Sequence, residues 1–119
     1  MSVKNIWGWL LITIARLRGL YTIQMVEEEP EKLRPKRVYL VGEEGSIWYA
    51  VFACPCGCNE KVYTKFVKES RPRWTYEVNP DNSISLSPSV WRNKGCKSHF
   101  FLRNGEIRWC NSINQEMRA

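Results

Sequence analysis

Histidine occurs once in the 119 residues, at position 99. An imidazole can therefore supply at most one ligand to any metal site. No apolar run reaches the roughly 20 residues that cross a bilayer as a helix, which argues against a helical membrane span. The longest, "IWGWLLITIA" at 6–15, stands behind Lys4 as a signal-peptide core would. No small-residue cleavage site follows it; Arg16 and Arg18 stand there instead, so the run does not read as a signal peptide. Internal repeats are missing, and beyond the short acidic run at Glu27–Glu29 nothing is low in complexity. What is present argues for one ordered domain: 44% hydrophobic residues, with six Trp, five Tyr and four Phe. The net charge is +6 and unevenly placed. Residues 1–60 carry seven basic and seven acidic side chains, whereas residues 61–119 carry eleven against five. Such a surface favours an acidic partner without choosing among nucleic acid, protein and anionic lipid.

Five cysteines are an odd number, and Cys54, Cys56 and Cys58 stand too close together for easy mutual disulfides. A tight, odd set suits metal binding in a reducing cytosol better than a disulfide framework, which points to a cytoplasmic protein.

The local patterns predict a mainly β fold: a small antiparallel sheet of hairpins around a zinc site, with an N-terminal α-helix. Ile6, Leu10, Ile14, Leu17 and Tyr21 recur at helical spacing, which predicts a helix over 2–20. Trp7, Trp9, Leu11 and Ile12 widen its apolar surface beyond one stripe. The helix can dock on its own core, on a partner or second copy, or on a membrane surface; the width favours a protein contact, with a homo-oligomer through residues 1–25 as one form. "VEEEPEKLRPKR", 26–37, reads as a linker because of its two prolines and charge run. The division is then 1–25 helix, 26–37 linker and 38–119 zinc-binding β domain. A hairpin is expected over 37–53, a strand over 61–67, another over 73–78, and a short edge strand in "SISLS", stopped by Pro88. The segment 54–60 becomes a hairpin tip carrying three thiols. In "HFFLRNGEIRWC", Asn104-Gly105 suits a two-residue turn. The register then faces Arg103 with Glu106, Phe100 with Trp109 and His99 with Cys110. Phe100, Leu102, Ile107 and Trp109 form a core face, and His99, Phe101, Arg103, Arg108 and Cys110 the other.

Cys96-Lys97-Ser98-His99 is a C-x-x-H pair, and Cys54-Pro55-Cys56-Gly57-Cys58 resembles a zinc-ribbon knuckle one residue short. Gly57 permits a positive-φ turn there. Thiolates with one imidazole favour Zn2+ over Mg2+ or Ca2+, and structural zinc takes four such ligands. The candidates are Cys54, Cys56, Cys58, Cys96 and His99, with Cys110 close by register. That exceeds four, so a spare thiol could act as a nucleophile, and a three-ligand zinc could hold a reactive water. No carboxylate has a placement that marks a general base; Glu60, beside the cysteine turn, is the nearest in sequence. Arg71, Arg73, Arg92, Lys94, Lys97, Arg103 and Arg108 interleave with Trp74, Trp91 and Trp109, as in proteins that stack bases.

From about Val26 to Cys110 the chain resembles a bacterial family of small domains whose pattern runs F-x-CPCGC, R-P-x-W, S-L-x-P-S-[IV]-W, then G-C-x-SHF and G-x-[IV]-x-W. Here these read Phe52 to Cys58, Arg71 to Trp74, Ser85 to Trp91, Gly95 to Phe100 and Gly105 to Trp109. Ser87 after Leu86, and Phe101-Leu102 after "SHF", depart from the pattern. The resemblance implies zinc held by the Cys/His set and a place beside a bacterial ubiquitin-like modifier and its conjugating enzymes, in an antiphage setting. It further implies the role of peptidase, trimming or removing the modifier. Ser89 and Ser98 fall on the family's recurrent serines, and with His99 and Cys110 they are the catalytic candidates. Arg103 and Arg108 could hold a modifier's acidic surface or terminal carboxylate, and the edge 83–87 an extended tail. The competing reading is a non-catalytic zinc-stabilised module that binds protein or, less favoured, nucleic acid.

Overall fold

The structure, a computed structural model, describes residues 3–43, 45–91 and 98–110. Helix α1 (Val3–Leu17) precedes nine strands: β1 (Thr22–Val26), β2 (Arg37–Glu43), β3 (Ser46–Ala53), β4 (Lys61–Lys65), β5 (Thr75–Val78), β6 (Ile84–Ser87), β7 (Val90–Trp91), β8 (His99–Arg103) and β9 (Glu106–Trp109). They form sheets ordered β1-β2-β3-β4, β5-β6 and β7-β8-β9. The mainly β architecture with one N-terminal helix is as the sequence predicts. Every pairing between strands is antiparallel except β1 with β2, which is parallel.

Alternation explains most strands. In β4, Val62 and Thr64 are buried while Tyr63 and Lys65 face out. In β3, Ala50, Val51 and Phe52 are all buried, because that sheet is covered on both faces. On one face Val38, Leu40, Ala50 and Phe52 meet Ile84, Leu86, Val90, Phe100 and Leu102 in the main core. Phe52 sits edge-on to both Tyr21 and Phe100, with ring centroids 6.3 and 6.2 Å away. On the other face Tyr39, Val41 and Val51 are covered by Val26, Leu33 and Tyr49.

The segment read as a linker therefore folds back on the sheet. Leu33 packs there, and the Glu29 carboxylate accepts hydrogen bonds from Tyr49 Oη (3.0 Å), Tyr63 Oη (2.9 Å) and Lys61 Nζ (3.0 Å). Burial alone would raise the Glu29 pKa, but the three donors and the Lys61 charge outweigh it and hold the carboxyl below its ordinary 4.5. A depressed folded-state pKa adds stability that is present above the unfolded value and lost as pH falls through the folded one. Glu29→Gln should thus cost about 1 kcal/mol at pH 7. Wild type and variant should converge in melting temperature in acid, below the ordinary carboxylate pKa.

The last hairpin has the register read from its sequence, from Arg103 opposite Glu106 to Phe100 opposite Trp109, and Cys110 N–H donates to His99 C=O at 2.8 Å. Phe100 and Leu102 are fully buried and Ile107 half-buried. Trp109 departs from the expected core face: it touches Phe100 edge-on but is 53% exposed, because β9 is the outer strand of its sheet. The Asn104-Gly105 turn does more than reverse the chain. Gly105 C=O accepts from Tyr21 N–H (2.7 Å), and its N–H donates to Ile84 C=O (2.9 Å). The turn thus occupies part of the β6 edge that was expected to lie open for an extended tail. At Gly105 φ is +77°, and a β-carbon would lie 2.9 Å from Leu20 Cβ and 3.0 Å from Tyr21 O. Gly105→Ala should therefore cost about 3 kcal/mol, read as a lowered midpoint in urea with an unchanged m-value.

A serine–histidine pair beside a three-thiol turn

After β6 the chain passes Pro88 and starts β7, which pairs with β8 through Val90 opposite Phe100 and Trp91 opposite His99. Val90 and Phe100 are both core residues. Side chains alternate along a strand, so Ser89, Trp91, His99 and Phe101 lie on the opposite face. There Ser89 Oγ is 2.8 Å from His99 Nε2. The Trp91 indole stacks on the imidazole, centroids 4.7 Å apart and planes within 5°. Phe101 flanks the imidazole at 6.4 Å. Trp74 Nε1–H donates to the Ser89 carbonyl at 3.4 Å, which ties the serine's backbone. Burial lowers the His99 pKa below its ordinary 6.5, which favours the neutral ring. In the tautomer protonated on Nδ1, Nε2 accepts the Ser89 hydroxyl proton. A hydroxyl bonded to a neutral imidazole is the arrangement of an activated nucleophile.

The thiols gather nearby. Cys54 N–H bonds Glu60 C=O (2.9 Å) and Gly57 N–H bonds Cys54 C=O (3.1 Å), closing the tip between β3 and β4. Gly57, with φ at +89°, turns the chain as its position suggests. The sulfurs of Cys54, Cys56 and Cys58 all lie within 4.8 Å of one another, and Cys54 and Cys56 are 3.4 Å apart. Three convergent thiols fit a thiophilic metal ion and supply three of four tetrahedral positions. Cys54 is itself buried in the main core, and its Sγ contacts Ser98 Oγ at 3.7 Å. Ser98 immediately precedes His99, so the thiol turn braces the strand that carries the imidazole.

Ser98 is thus placed against a sulfur, while Ser89 is the serine at the imidazole. Cys110 is a half-buried free thiol outside the cluster of three. Arg103 is exposed and lies over the Phe101 ring at 4.6 Å; Arg108 is exposed and opposite Phe101 in register. Cys96 lies outside the described residues, as do Arg92, Lys94 and Lys97. Of the tryptophans expected among these cations, Trp91 gives one ring face to His99 and Trp74 its N–H to the Ser89 carbonyl, while Trp109 is exposed on β9. A groove of about 260 Å³, lined by Thr75, Glu77, Ser87, Phe101 and Arg103 among others, adjoins the pair through Ser87 and Phe101.

Residues 25–110 match the model of a family described as "Bacterial ubiquitination-like system serine protease (BubE)". The chain belongs to the BubE family. No curated protein and no solved structure matches it. A protease-like role within a bacterial ubiquitination-like system accords with that description and with the Ser89–His99 geometry. Sequence reasoning treated Ser89 and His99 as separate candidates and missed Trp91 and Trp74 as their supports. The usable signal was that Val90 and Phe100 are both apolar: pairing them puts Ser89 and His99 on one face.

Proposed function

We propose that this BubE-family chain is a serine hydrolase that cleaves at the C-terminal tail of a ubiquitin-like modifier in the cytoplasm, with Ser89 as nucleophile and His99 as general base. The 2.8 Å contact between Ser89 Oγ and His99 Nε2 carries the reading. Ser89 Oγ attacks the scissile carbonyl while its proton passes to His99 Nε2. The imidazolium then donates that proton to the departing amine, leaving an ester on Ser89. Water attacks the ester with His99 again taking the proton, and release of the carboxylate restores Ser89. Arg103, which lines the groove, and Arg108 are the groups that hold the substrate's acidic or carboxylate features.

Cys54, Cys56 and Cys58 hold Zn2+ in this reading, with Cys96, two residues before Ser98, as the fourth ligand. His99 belongs to the catalytic pair because its Nε2 is engaged by Ser89. The zinc then fixes the turn that supports Ser98 and His99.

The test combines two measurements. A modifier with extra C-terminal residues is incubated with the protein and the product mass read. In parallel, a fluorophosphonate is used to label the active serine, and the adduct is located by peptide mass. Cleavage together with an adduct on Ser89 supports the proposal. Cleavage that persists in Ser89→Ala would move the chemistry elsewhere, and the absence of both from a folded, zinc-loaded protein would leave a binding module.

A further inference from the structure

Helix α1 turns its largest apolar side chains outward. Trp7 is 62% exposed, Trp9 64%, Ile14 50% and Leu17 83%, and Leu10 and Leu11 are exposed too. Trp7, Leu10, Leu11, Ile14 and Leu17 recur at three- and four-residue steps, so they share one side of the helix. Trp9 points nearly opposite to Trp7, since two residues turn the helix by about 200°. Among the helix side chains described, from Trp7 to Leu17, Ala15 is the buried one. The family match begins at residue 25, so α1 stands apart from the portion that family membership accounts for.

The charges around this helix have one sign. Residues 1–25 contain Lys4, Arg16 and Arg18 and no acidic residue. At the C-terminal base of α1, Arg16 and Arg18 are joined by Arg34, Lys36 and Arg37. Arg37 has its pKa lowered by burial and then by the nearby charges of Arg16 and Arg34. Among the described residues none of these five cations forms an ion pair. Two acids, Asp81 and Glu106, line clefts at the helix base with Leu11, Arg18 and Lys36.

We propose that α1 seats in one leaflet of an anionic lipid bilayer, with its tryptophans and aliphatic side chains in the interfacial layer and the collar of cations on the phosphates. Three observations select this occupant. A groove on a protein would cover one side of the helix, whereas a lipid layer also takes the opposed Trp9. A second copy brings the same cations and no acid on this segment to neutralise them. The helix is fifteen residues, about 22 Å long, and no described helix is long and apolar enough to cross a membrane, which fits surface seating.

The experiment is vesicle flotation of the full chain with phosphatidylcholine alone and with added phosphatidylglycerol. The protein should float with the anionic vesicles, progressively less as salt rises, and stay behind with the neutral ones. Arg16→Gln with Arg18→Gln should weaken partition by roughly five-fold per charge at low salt. Trp7→Ser with Trp9→Ser should abolish it while leaving thermal unfolding unchanged, because both side chains are exposed. No flotation with anionic vesicles overturns the proposal, as does flotation that the tryptophan variant retains. A concentration-dependent dimer in sedimentation, lost in that variant and without vesicle binding, would assign the surface to a second copy instead.

Discussion

Ser89→Ala should lower turnover of a tailed modifier by roughly 10⁴–10⁶-fold, with zinc content and melting temperature unchanged. Removing the nucleophile of a hydroxyl–imidazole pair typically costs that much, because the covalent route closes and only binding and polar stabilisation remain. His99→Ala should cost a similar factor, and the double variant little more than either alone, since the two groups act as a unit. The pH profile separates base catalysis from a structural role. Burial favours neutral imidazole and places the His99 pKa below 6.5. Rate should therefore rise with pH through a midpoint below 6.5 and level off above it. A midpoint well above 6.5 would mean the active base is another group. Trp91 bears on the same profile: its stacked indole covers one face of the imidazole, and Trp91→Ala should move the midpoint while Trp91→Phe restores it.

Removal of metal should have the largest effect on stability. A zinc site in a small domain supplies on the order of 10 kcal/mol of folding free energy. A domain's whole net stability is of comparable size, about 5–15 kcal/mol. Chelation at neutral pH should then lower the melting temperature steeply, and activity should fall in parallel because Cys54 touches Ser98 beside the base. Elemental analysis should find one zinc per chain. Cys54→Ser should be the most damaging thiol substitution, since Cys54 belongs to both the cluster and the core, whereas Cys56 is exposed. A protein without zinc that is folded and active would reduce the three thiols to a plain turn.

What could be read from the sequence was what is local. Asn104-Gly105 fixes a two-residue turn, and that turn fixes every pairing from Arg103–Glu106 to Phe100–Trp109. The tip at 54–60 followed from two strand patterns that flank it. β1 escaped notice because its partner is parallel and begins fifteen residues further on, at Arg37 opposite Thr22, with no turn to announce it. The connector looked solvated from its charges and prolines, yet Leu33 packs on the cluster of Tyr39, Val41 and Val51, and Glu29 bonds Tyr49 and Tyr63, 20 and 34 positions away. The Ser89–His99 contact was hidden for the same reason: ten residues separate the two, and only the buried Val90–Phe100 pair across the strands discloses it.

The hydrogen bond from Tyr21 N–H to Gly105 C=O ties the exit of α1 to a segment made long after it. Synthesis runs from the N-terminus, so the exit of the helix emerges long before its partner at Gly105. β2 to β4 can form hairpins as they emerge, because their pairings are short in sequence. The tie at Tyr21, by contrast, waits for the turn at Gly105, which itself bonds Ile84. A nascent chain stalled before that turn should keep its N-terminal region accessible to protease, and one stalled well beyond it should become resistant in a single step. Closure of this domain is therefore governed by when residue 105 clears the ribosome rather than by how readily the helix forms.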